Sequence, residues 1–267
     1  MKTQSCMNRL LWITLLVIGL SGCSEESSSS EENTESGTIQ DGDHADNATV
    51  IQLNSSDQYQ TVEGIGGGIA NYENWYCQHP NKKELFDLIF KDFEISMIRI
   101  GNWYEKKISG ENPDILKQQK EIMDAATQRL ERSNFSVMMS NWLVAPDLID
   151  RPKEKGATLK RNNEGKYMYK EFGEWCRMTL KAYQEADMSP DYLSMMNEPD
   201  GDNSAGTKIR LGYGIDDSQK ANYGKALDAT YEAFKEVSKR PKLIGPEVLG
   251  NGYGTLSNYY RELNHEL

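Results

Sequence analysis

Asn197, Glu198 and Pro199 combine an amide, a carboxylic acid and a chain-stiffening proline in three consecutive positions. They follow a short apolar run, 192–196, which is typical of a buried strand that would deliver these groups at its C-terminal end. That end of the strands is where a βα barrel carries its catalytic residues. An amide beside an acid suits sugar hydrolysis, in which the acid protonates the leaving oxygen and the amide holds a hydroxyl group. Such a reaction also needs a second carboxylate.

Short apolar segments alternate with amphipathic segments along the chain, which predicts strands alternating with helices. The predicted strands are residues 48–53, 59–68, 95–101, 135–142, 192–196 and 242–246. The predicted helices are residues 81–93, 113–132, 167–186 and 216–240, with a last helix from about Leu256. The apolar periodicity predicts an inner stripe on three of these helices. The stripes are Leu85, Phe86, Leu88, Ile89 and Phe93 on the first, Phe172, Trp175, Cys176, Leu180 and Tyr183 on the third, and Leu227, Tyr231 and Phe234 on the fourth. Successive strands end in chemically useful groups, namely Gly67-Gly68, Arg99, Trp142, Asn197-Glu198 and Glu247. This pattern predicts an α/β fold of the (β/α)₈ TIM barrel type, incomplete here at about strands 1–5, rather than a doubly wound sheet.

The first residues have the character of an export signal. Lys2 and Arg9 precede an apolar run, 10–20, that is too short to span a membrane. The sequence Leu20-Ser21-Gly22-Cys23 resembles a bacterial lipobox, which implies cleavage before Cys23 and lipid attachment to its thiol. Cleavage after small residues without lipidation is the alternative. We therefore expect a lipoprotein signal peptide at 1–22 and a protein of the bacterial cell envelope, on the outer membrane or the cell surface.

Residues 24–49 contain eight acidic residues and no lysine or arginine. This composition cannot bury a core and predicts a disordered, acidic and serine-rich tether at 23–47. The third region, 48–267, is the partial barrel with an N-terminal edge strand that belongs to a side β-structure. Because most of the net charge of −11 lies in the tether, the remainder lacks the basic face that nucleic-acid binding requires.

No cofactor or metal site is predicted. The three histidines, His44, His79 and His265, have no metal-ligand spacing. The glycines at 64–68 fit neither the dinucleotide-binding nor the phosphate-loop pattern, and they indicate a strand end where backbones approach closely. Cys77 and Cys176 are compatible with a disulfide or with two free thiols.

Five segments of the chain, in order, resemble glycoside hydrolase family 30, which includes glucosylceramidases, β-1,6-glucanases and xylanases. These segments are residues 59–68, Met97–Ile100, Met139–Trp142, Met195–Asp200 and Gly245–Glu247. The Asn-Glu-Pro motif alone is shared by a whole clan of barrel glycosidases. The glycine-rich first segment combined with it is more specific.

The resemblance implies a retaining mechanism that uses two glutamates. Glu198 would be the general acid/base, and Asn197 would hydrogen-bond the sugar 2-hydroxyl. Arg99 would orient the nucleophile, Trp142 would stack on the sugar or wall it, and Asn71 falls where relatives carry a polar sugar-binding residue. The structural alternatives are a surface acid for Glu198, an ion pair at the barrel bottom for Arg99 and a core position for Trp142.

The family's nucleophile lies on the seventh strand, so we expect this chain to be a fragment that lacks the nucleophile strand. Glu247 lies only one strand beyond Glu198, which favours a structural or rim role for it over that of nucleophile. The expected function is a lipid-anchored retaining glycoside hydrolase acting on β-linked oligo- or polysaccharides. The alternative is a non-catalytic carbohydrate-binding lipoprotein, whose sugars would be held by aromatic residues at positions 75, 76, 103, 104 and 142.

Overall fold

The computed structural model describes residue 56, residue 59 and residues 61–201, 209–214, 218–250 and 253–263. The predicted signal peptide, the tether with Cys23, and the edge strand at 48–53 lie outside the described residues. The fold described below belongs to the unit that runs from Tyr59 to Leu267.

The described elements alternate between strands and helices, as the sequence predicts. The strands are β1 (Gly66–Gly68), β2 (Met97–Asn102), β3 (Ser136–Asn141), β4 (Tyr192–Ser194) and β5 (Lys242–Ile244). The helices are α1 (Glu73–Gln78), α2 (Lys82–Asp87), α3 (Tyr104–Ile108), α4 (Ile115–Arg129), α5 (Tyr169–Glu185), α6 (Tyr223–Phe234) and α7 (Tyr253–Leu263). A π-helical turn, Leu88–Asp92, continues α2, and short 3₁₀ turns occur at Arg132–Asn134 and Pro146–Leu148.

The five strands form one parallel sheet in the order β1-β2-β3-β4-β5. Each strand pairs with the next strand of the chain, and the order never reverses. Because parallel crossovers are right-handed, an unreversed order places every connecting helix on the same face of the sheet. A doubly wound sheet would reverse its order and carry helices on both faces. The α/β class and the partial barrel predicted from the sequence are therefore confirmed.

Along each strand, the side chains point alternately toward the helices and toward the opposite face of the sheet, which we call the inner face. On β2, Ile98 and Ile100 are completely buried, and Asn102 donates hydrogen bonds of 2.8 Å to Asn141 on β3 and to Thr179 on α5. These residues mark the helical face of the sheet. The intervening residue Arg99 points to the inner face, where the candidate site lies.

The inner stripe predicted for α5 is confirmed. Its residues are Phe172, Trp175, Cys176, Leu180 and Tyr183, and all of them are buried. Helix α5 also contains Gly173, and a Cβ atom at that position would lie 2.3 Å from the backbone oxygen of Ala229 on α6. Glycine at this position therefore allows the two helices to pack backbone against backbone.

Several predicted boundaries and faces were wrong. The helix predicted at 216–240 is limited, among the described residues, to Tyr223–Phe234, and Tyr231, which was expected to face inward, is 39% exposed while Thr230 is buried. In the helix predicted at 81–93, Leu88 and Phe93 are exposed, and Phe90 is buried. The π-helical turn accounts for the exposure of Phe93, because its wider turn rotates the side chain that follows it away from its α-helical position.

Cys77 and Cys176 are free thiols, so the disulfide alternative is wrong. Among the described helices, none combines the length and the apolar character that a membrane span requires.

Candidate active site

Arg99 is the centre of the polar cluster on the inner face of the sheet. Its Nη2 atom donates to Asn197 Oδ1 at 2.6 Å and to Glu247 Oε1 at 2.7 Å, and its Nε atom donates to Ser140 Oγ at 3.1 Å. The same nitrogen therefore joins the amide that follows β4 to the carboxylate that follows β5. The Arg99 side chain is 30% exposed and that of Glu247 is 17% exposed, so this ion pair is largely removed from water.

The position of Arg99 differs from the sequence prediction in one respect. The strand does not end at this residue, because β2 continues to Asn102. The long arginine side chain reaches from the middle of β2 to the C-terminal ends of β4 and β5. The ion pair considered as an alternative does exist, but it lies at the C-terminal ends of these strands and not at the barrel bottom.

The backbone at Glu198 has an uncommon conformation that hydrogen bonds hold in place. Its φ angle is 48°, in the left-handed region that costs a non-glycine residue about 1–2 kcal/mol. The Glu198 N–H donates to Glu247 O at 2.7 Å, and the Glu198 carbonyl accepts from Gly201 N at 2.9 Å. The preceding residue is fixed as well, since Asn197 N donates to Asn141 O at 2.8 Å. Such strained residues cluster at functional sites, and this one carries the candidate acid.

Asp200 joins the loop after β4 to the loop after β5. Its two carboxylate oxygens accept from Leu249 N at 2.7 Å and from Gly250 N at 3.1 Å. Asp200 also borders a cleft of about 370 Å³, which includes Arg210, Tyr213 and Tyr259 in its wall. This carboxylate therefore fixes the rim of the site next to Glu198.

Trp142 lies beside the polar cluster, directly after β3. The Arg99 guanidinium carbon lies 4.2 Å from the centroid of its ring, in a cation–π contact. The ring of Trp103 lies 5.2 Å from that of Trp142, tilted by 33°. Trp142 is partly buried and packs against the core. Its ring therefore belongs partly to the core and partly to the wall of the candidate site.

Trp103 is held by a buried hydrogen-bond network. Its indole Nε1 donates to Glu73 Oε1 at 2.6 Å, and the same oxygen accepts from Gln119 Nε2 at 3.0 Å. Tyr183 accepts from the backbone N–H of Trp103 at 2.9 Å and donates to Gly101 O at 2.9 Å. A Cβ atom at Gly101 would lie 2.4 Å from the Trp103 ring, so only glycine allows the ring to pack there.

Tyr223, the first residue of α6, approaches the cluster from the helical layer. Its hydroxyl oxygen would lie 2.3 Å from a Cβ atom at Gly245, two residues before Glu247. Burial and then the negative charge of Glu247 raise the pKa of Tyr223, so its hydroxyl remains protonated.

The structure brings together Arg99, Trp142 and Asn197, with Glu198 next in the chain. Asn71 is exposed, and its φ of 69° is the left-handed conformation that asparagine tolerates in turns. Of the aromatic residues considered for sugar binding, Trp103 is only 2% exposed and belongs to the core, whereas Trp75 is 76% exposed.

Sequence reasoning missed Glu73 and Tyr223 and the pairing of Glu247 with Arg99. Nothing in the local pattern identified Tyr223. A charged residue inside an otherwise apolar strand, such as Arg99, was a signal that a buried partner exists. Within the described residues, no group of three or more His, Cys, Asp or Glu side chains is arranged to hold a metal ion.

No family model and no curated protein matches the sequence. Solved structures do match the fold. The catalytic domain of a GH30 xylanase C from Talaromyces cellulolyticus is 13% identical, with a TM-score of 0.57 over 79% of this chain and 52% of that chain. A glycoside hydrolase family 30 subfamily 8 xylanase from Clostridium acetobutylicum is 16% identical, with a TM-score of 0.52 over 74% of this chain and 45% of that chain.

An endo-β-1,6-glucanase is 14% identical, with a TM-score of 0.52 over 73% of this chain and 46% of that chain. The chain thus spans about half the length of the solved structures that it matches. At these identities the likeness establishes the fold alone. The chain has a GH30-like fold and covers part of its TIM barrel.

The buried Glu73 predicts a specific dependence of stability on pH. Desolvation raises its pKa above the ordinary value of 4.5, against the lowering effects of its hydrogen bonds and of the Lys106 charge. Because the folded protein holds this proton more tightly than the unfolded chain, ionisation of Glu73 reduces the free energy of unfolding as the pH rises above 4.5. Glu73→Gln keeps an oxygen acceptor for Trp103 and removes the ionisation. We expect the variant to gain stability relative to wild type between pH 4 and pH 8.

Urea unfolding at the two pH values measures this gain, with Glu171→Gln, an exposed position on α5, as the control. A difference between Glu73→Gln and wild type that stays constant with pH would contradict the assignment.

Proposed function

We propose that this chain carries the acid/base end of a retaining glycoside hydrolase that acts on β-linked glycans. The observation that supports the proposal best is the placement of Asn197 and Glu198 after β4 of a GH30-like sheet, with Arg99 bonded to the Asn197 amide. An amide and an acid at the C-terminal end of a barrel strand are the groups that glycosidic cleavage needs.

In this mechanism Glu198 acts twice. As a carboxylic acid it protonates the glycosidic oxygen of the leaving sugar. As a carboxylate it then takes a proton from the water that releases the second product. The fixed backbone on both sides of Glu198 supports this role, since general acid/base catalysis depends on holding the proton-transferring group in position.

The neighbouring residues would bind and orient the sugar. Asn197 is 3% exposed and its carbonyl oxygen is taken by Arg99, which leaves its Nδ2 atom to donate to a sugar hydroxyl. Trp142 would form an apolar wall for the sugar ring at the part of its surface that Arg99 and Trp103 leave uncovered.

A retaining mechanism requires a second carboxylate about 5–5.5 Å from the acid. Among the described residues, Glu247 is the carboxylate bonded to Arg99, but it follows the strand adjacent to that of Glu198 and is engaged in an ion pair. We therefore place the nucleophile on a later strand of the barrel, opposite Glu198, as the resemblance to family 30 implies. No metal or cofactor takes part in this reaction scheme.

Carbohydrate binding without cleavage is the second candidate. It is favoured by the Arg99–Glu247 ion pair, because an arginine bonded to Glu247 has less capacity to orient a nucleophile. In that case Asn197 and Trp142 would hold a glycan that Glu198 does not cleave.

The effect of Glu198→Gln separates the two candidates. In the protein expressed from its complete gene, we expect the variant to lower turnover of β-1,4-xylan or β-1,6-glucan by about 10²–10⁴-fold, because proton transfer is lost. Glycan affinity should remain within a few-fold of wild type, since the amide has the shape of the acid. Glu171→Gln, which removes the same charge from an exposed part of α5, should behave as wild type.

Rates of released reducing sugar and calorimetric binding constants measure the two effects. Turnover of Glu198→Gln at the wild-type rate would contradict the acid/base role. Binding by the wild-type protein with no hydrolysis would establish the second candidate instead.

We further propose that the protein is a lipoprotein of the bacterial cell envelope, anchored through Cys23 on the outer membrane or cell surface. The support is the sequence alone, in which a short apolar run ends in Leu-Ser-Gly-Cys and an acidic tether follows.

Replacement of the lipid-bearing cysteine tests the anchor. In a bacterial host, the wild-type protein should partition into the detergent phase of a Triton X-114 extract, and Cys23→Ala should move to the aqueous phase because it carries no acyl chains. Cys77→Ala is the matched control, since it removes a cysteine from the folded part. Equal partitioning of wild type and Cys23→Ala would show that Cys23 is not the anchor.

A further inference from the structure

Three buried polar atoms without a protein hydrogen-bond partner lie around the ends of β4 and β5. They are Asn197 Nδ2, Glu247 Oε2 and the Tyr223 hydroxyl. Asn197 and Glu247 are bridge partners across the two strands, and Tyr223 reaches the backbone at Gly245 from α6. The three groups therefore belong to one cluster, which we call the β4–β5 polar cluster.

Arg99 fixes the orientation of two members of this cluster. Its Nη2 atom takes one oxygen of the Asn197 amide and one oxygen of the Glu247 carboxylate, at 2.6 and 2.7 Å. Because both groups are planar, their remaining atoms are fixed in direction as well. The remaining atom of Asn197, Nδ2, is an N–H donor, and the remaining atom of Glu247, Oε2, is a carboxylate acceptor.

A buried polar atom without a hydrogen-bond partner destabilises the folded protein, and a charged one does so more strongly. Native proteins satisfy nearly all buried polar atoms, so three without a partner in one cluster require an explanation. Asn197 is 3% exposed and Tyr223 is 1% exposed, so bulk solvent does not supply the missing bonds. A ligand group that both accepts and donates would satisfy the donor and the acceptor together.

We propose that Glu247 is a ligand-binding residue of this site and that, together with Asn197, it holds one hydroxyl group of a neutral sugar. The sugar hydroxyl oxygen accepts from Asn197 Nδ2, and the hydroxyl hydrogen is donated to Glu247 Oε2. The Tyr223 hydroxyl closes the helical side of the cluster at Gly245. This inference rests on the proposed carbohydrate function and adds a residue to its specificity.

The charges of the cluster define the class of sugar. The guanidinium of Arg99 is already paired with Glu247, so the pair has no net charge to attract an anion. The second oxygen of Glu247 still repels a carboxylate or phosphate brought next to it. The cluster therefore favours a neutral sugar hydroxyl over a uronic acid or a phosphorylated sugar.

Calorimetric titration of the protein used in the turnover experiment above, with β-1,4-xylotriose and with the β-1,6-linked glucotriose, tests this proposal. We expect Glu247→Gln to weaken binding of the preferred trisaccharide at least tenfold. Its amide oxygen can still accept from Arg99, but an NH₂ group then faces the sugar hydroxyl in place of the acceptor. The control Glu171→Gln, with the same change of charge, should leave the affinity unchanged.

Monodeoxyfluoro derivatives of the same trisaccharide provide a second test, which identifies the hydroxyl group that Glu247 binds. Fluorine in place of a hydroxyl keeps a weak acceptor for Asn197 but removes the hydrogen donated to Glu247. We expect one derivative to bind the wild-type protein at least tenfold more weakly than the parent trisaccharide does. The same derivative and the parent trisaccharide should bind Glu247→Gln with nearly equal affinity. A merely structural role of Glu247 would not produce this coupling.

The outcomes distinguish this inference from the function on which it rests. If the wild-type protein binds a trisaccharide, and every fluorinated derivative and Glu247→Gln retain full affinity, the role of Glu247 is overturned and the carbohydrate function stands. If the wild-type protein binds neither trisaccharide, the proposed function fails, and the role of Glu247 fails with it. If Glu247→Gln does not fold, the fluorinated series on the wild-type protein decides, because full affinity of every derivative would exclude a hydroxyl donated to Glu247.

Discussion

The hydrogen bonds from one guanidinium nitrogen of Arg99 to Asn197 and Glu247 are the interaction on which the candidate site depends. A largely buried arginine needs a carboxylate partner, because an unpaired charge in this position would cost several kcal/mol. Glu247 meets that need, and Asn197 takes the second bond. The two hydrogen bonds from Arg99 therefore orient an amide that follows β4 and a carboxylate that follows β5. Glu198 is the residue directly after the oriented Asn197.

Packing between Arg99 and the helices holds the arginine in the position that these hydrogen bonds require. Arg99 lies over Trp142, Trp142 packs on Trp103, and Trp103 donates to the buried Glu73. Gly101 permits the close approach of the Trp103 ring to β2. A continuous chain of contacts thus runs from α1 to the polar cluster. Its members are rigid aromatic and hydrogen-bonded groups, which suits the proposed sugar site, where a ligand must be held in one orientation.

Local patterns in the sequence predicted the sheet, the order of its strands and the chemistry at the end of β4, because alternation of strand and helix and the Asn-Glu-Pro motif are features of neighbouring residues. The stripe of α5 was predicted for the same reason. The contact of Arg99 with Glu247 joins residues 148 positions apart and depends on how the sheet curves, which no local pattern contains. The exposure of Phe93 was missed because the π-helical turn before it changes the helical period.

A crystal structure of the protein with a bound β-linked trisaccharide would test directly whether the C-terminal ends of β4 and β5 form a sugar site organised by Arg99. We expect a sugar ring beside Trp142, with one hydroxyl between Asn197 and Glu247 and a glycosidic oxygen within hydrogen-bonding reach of Glu198. A trisaccharide bound elsewhere, with Arg99, Asn197 and Glu247 free of contact to it, would contradict the account.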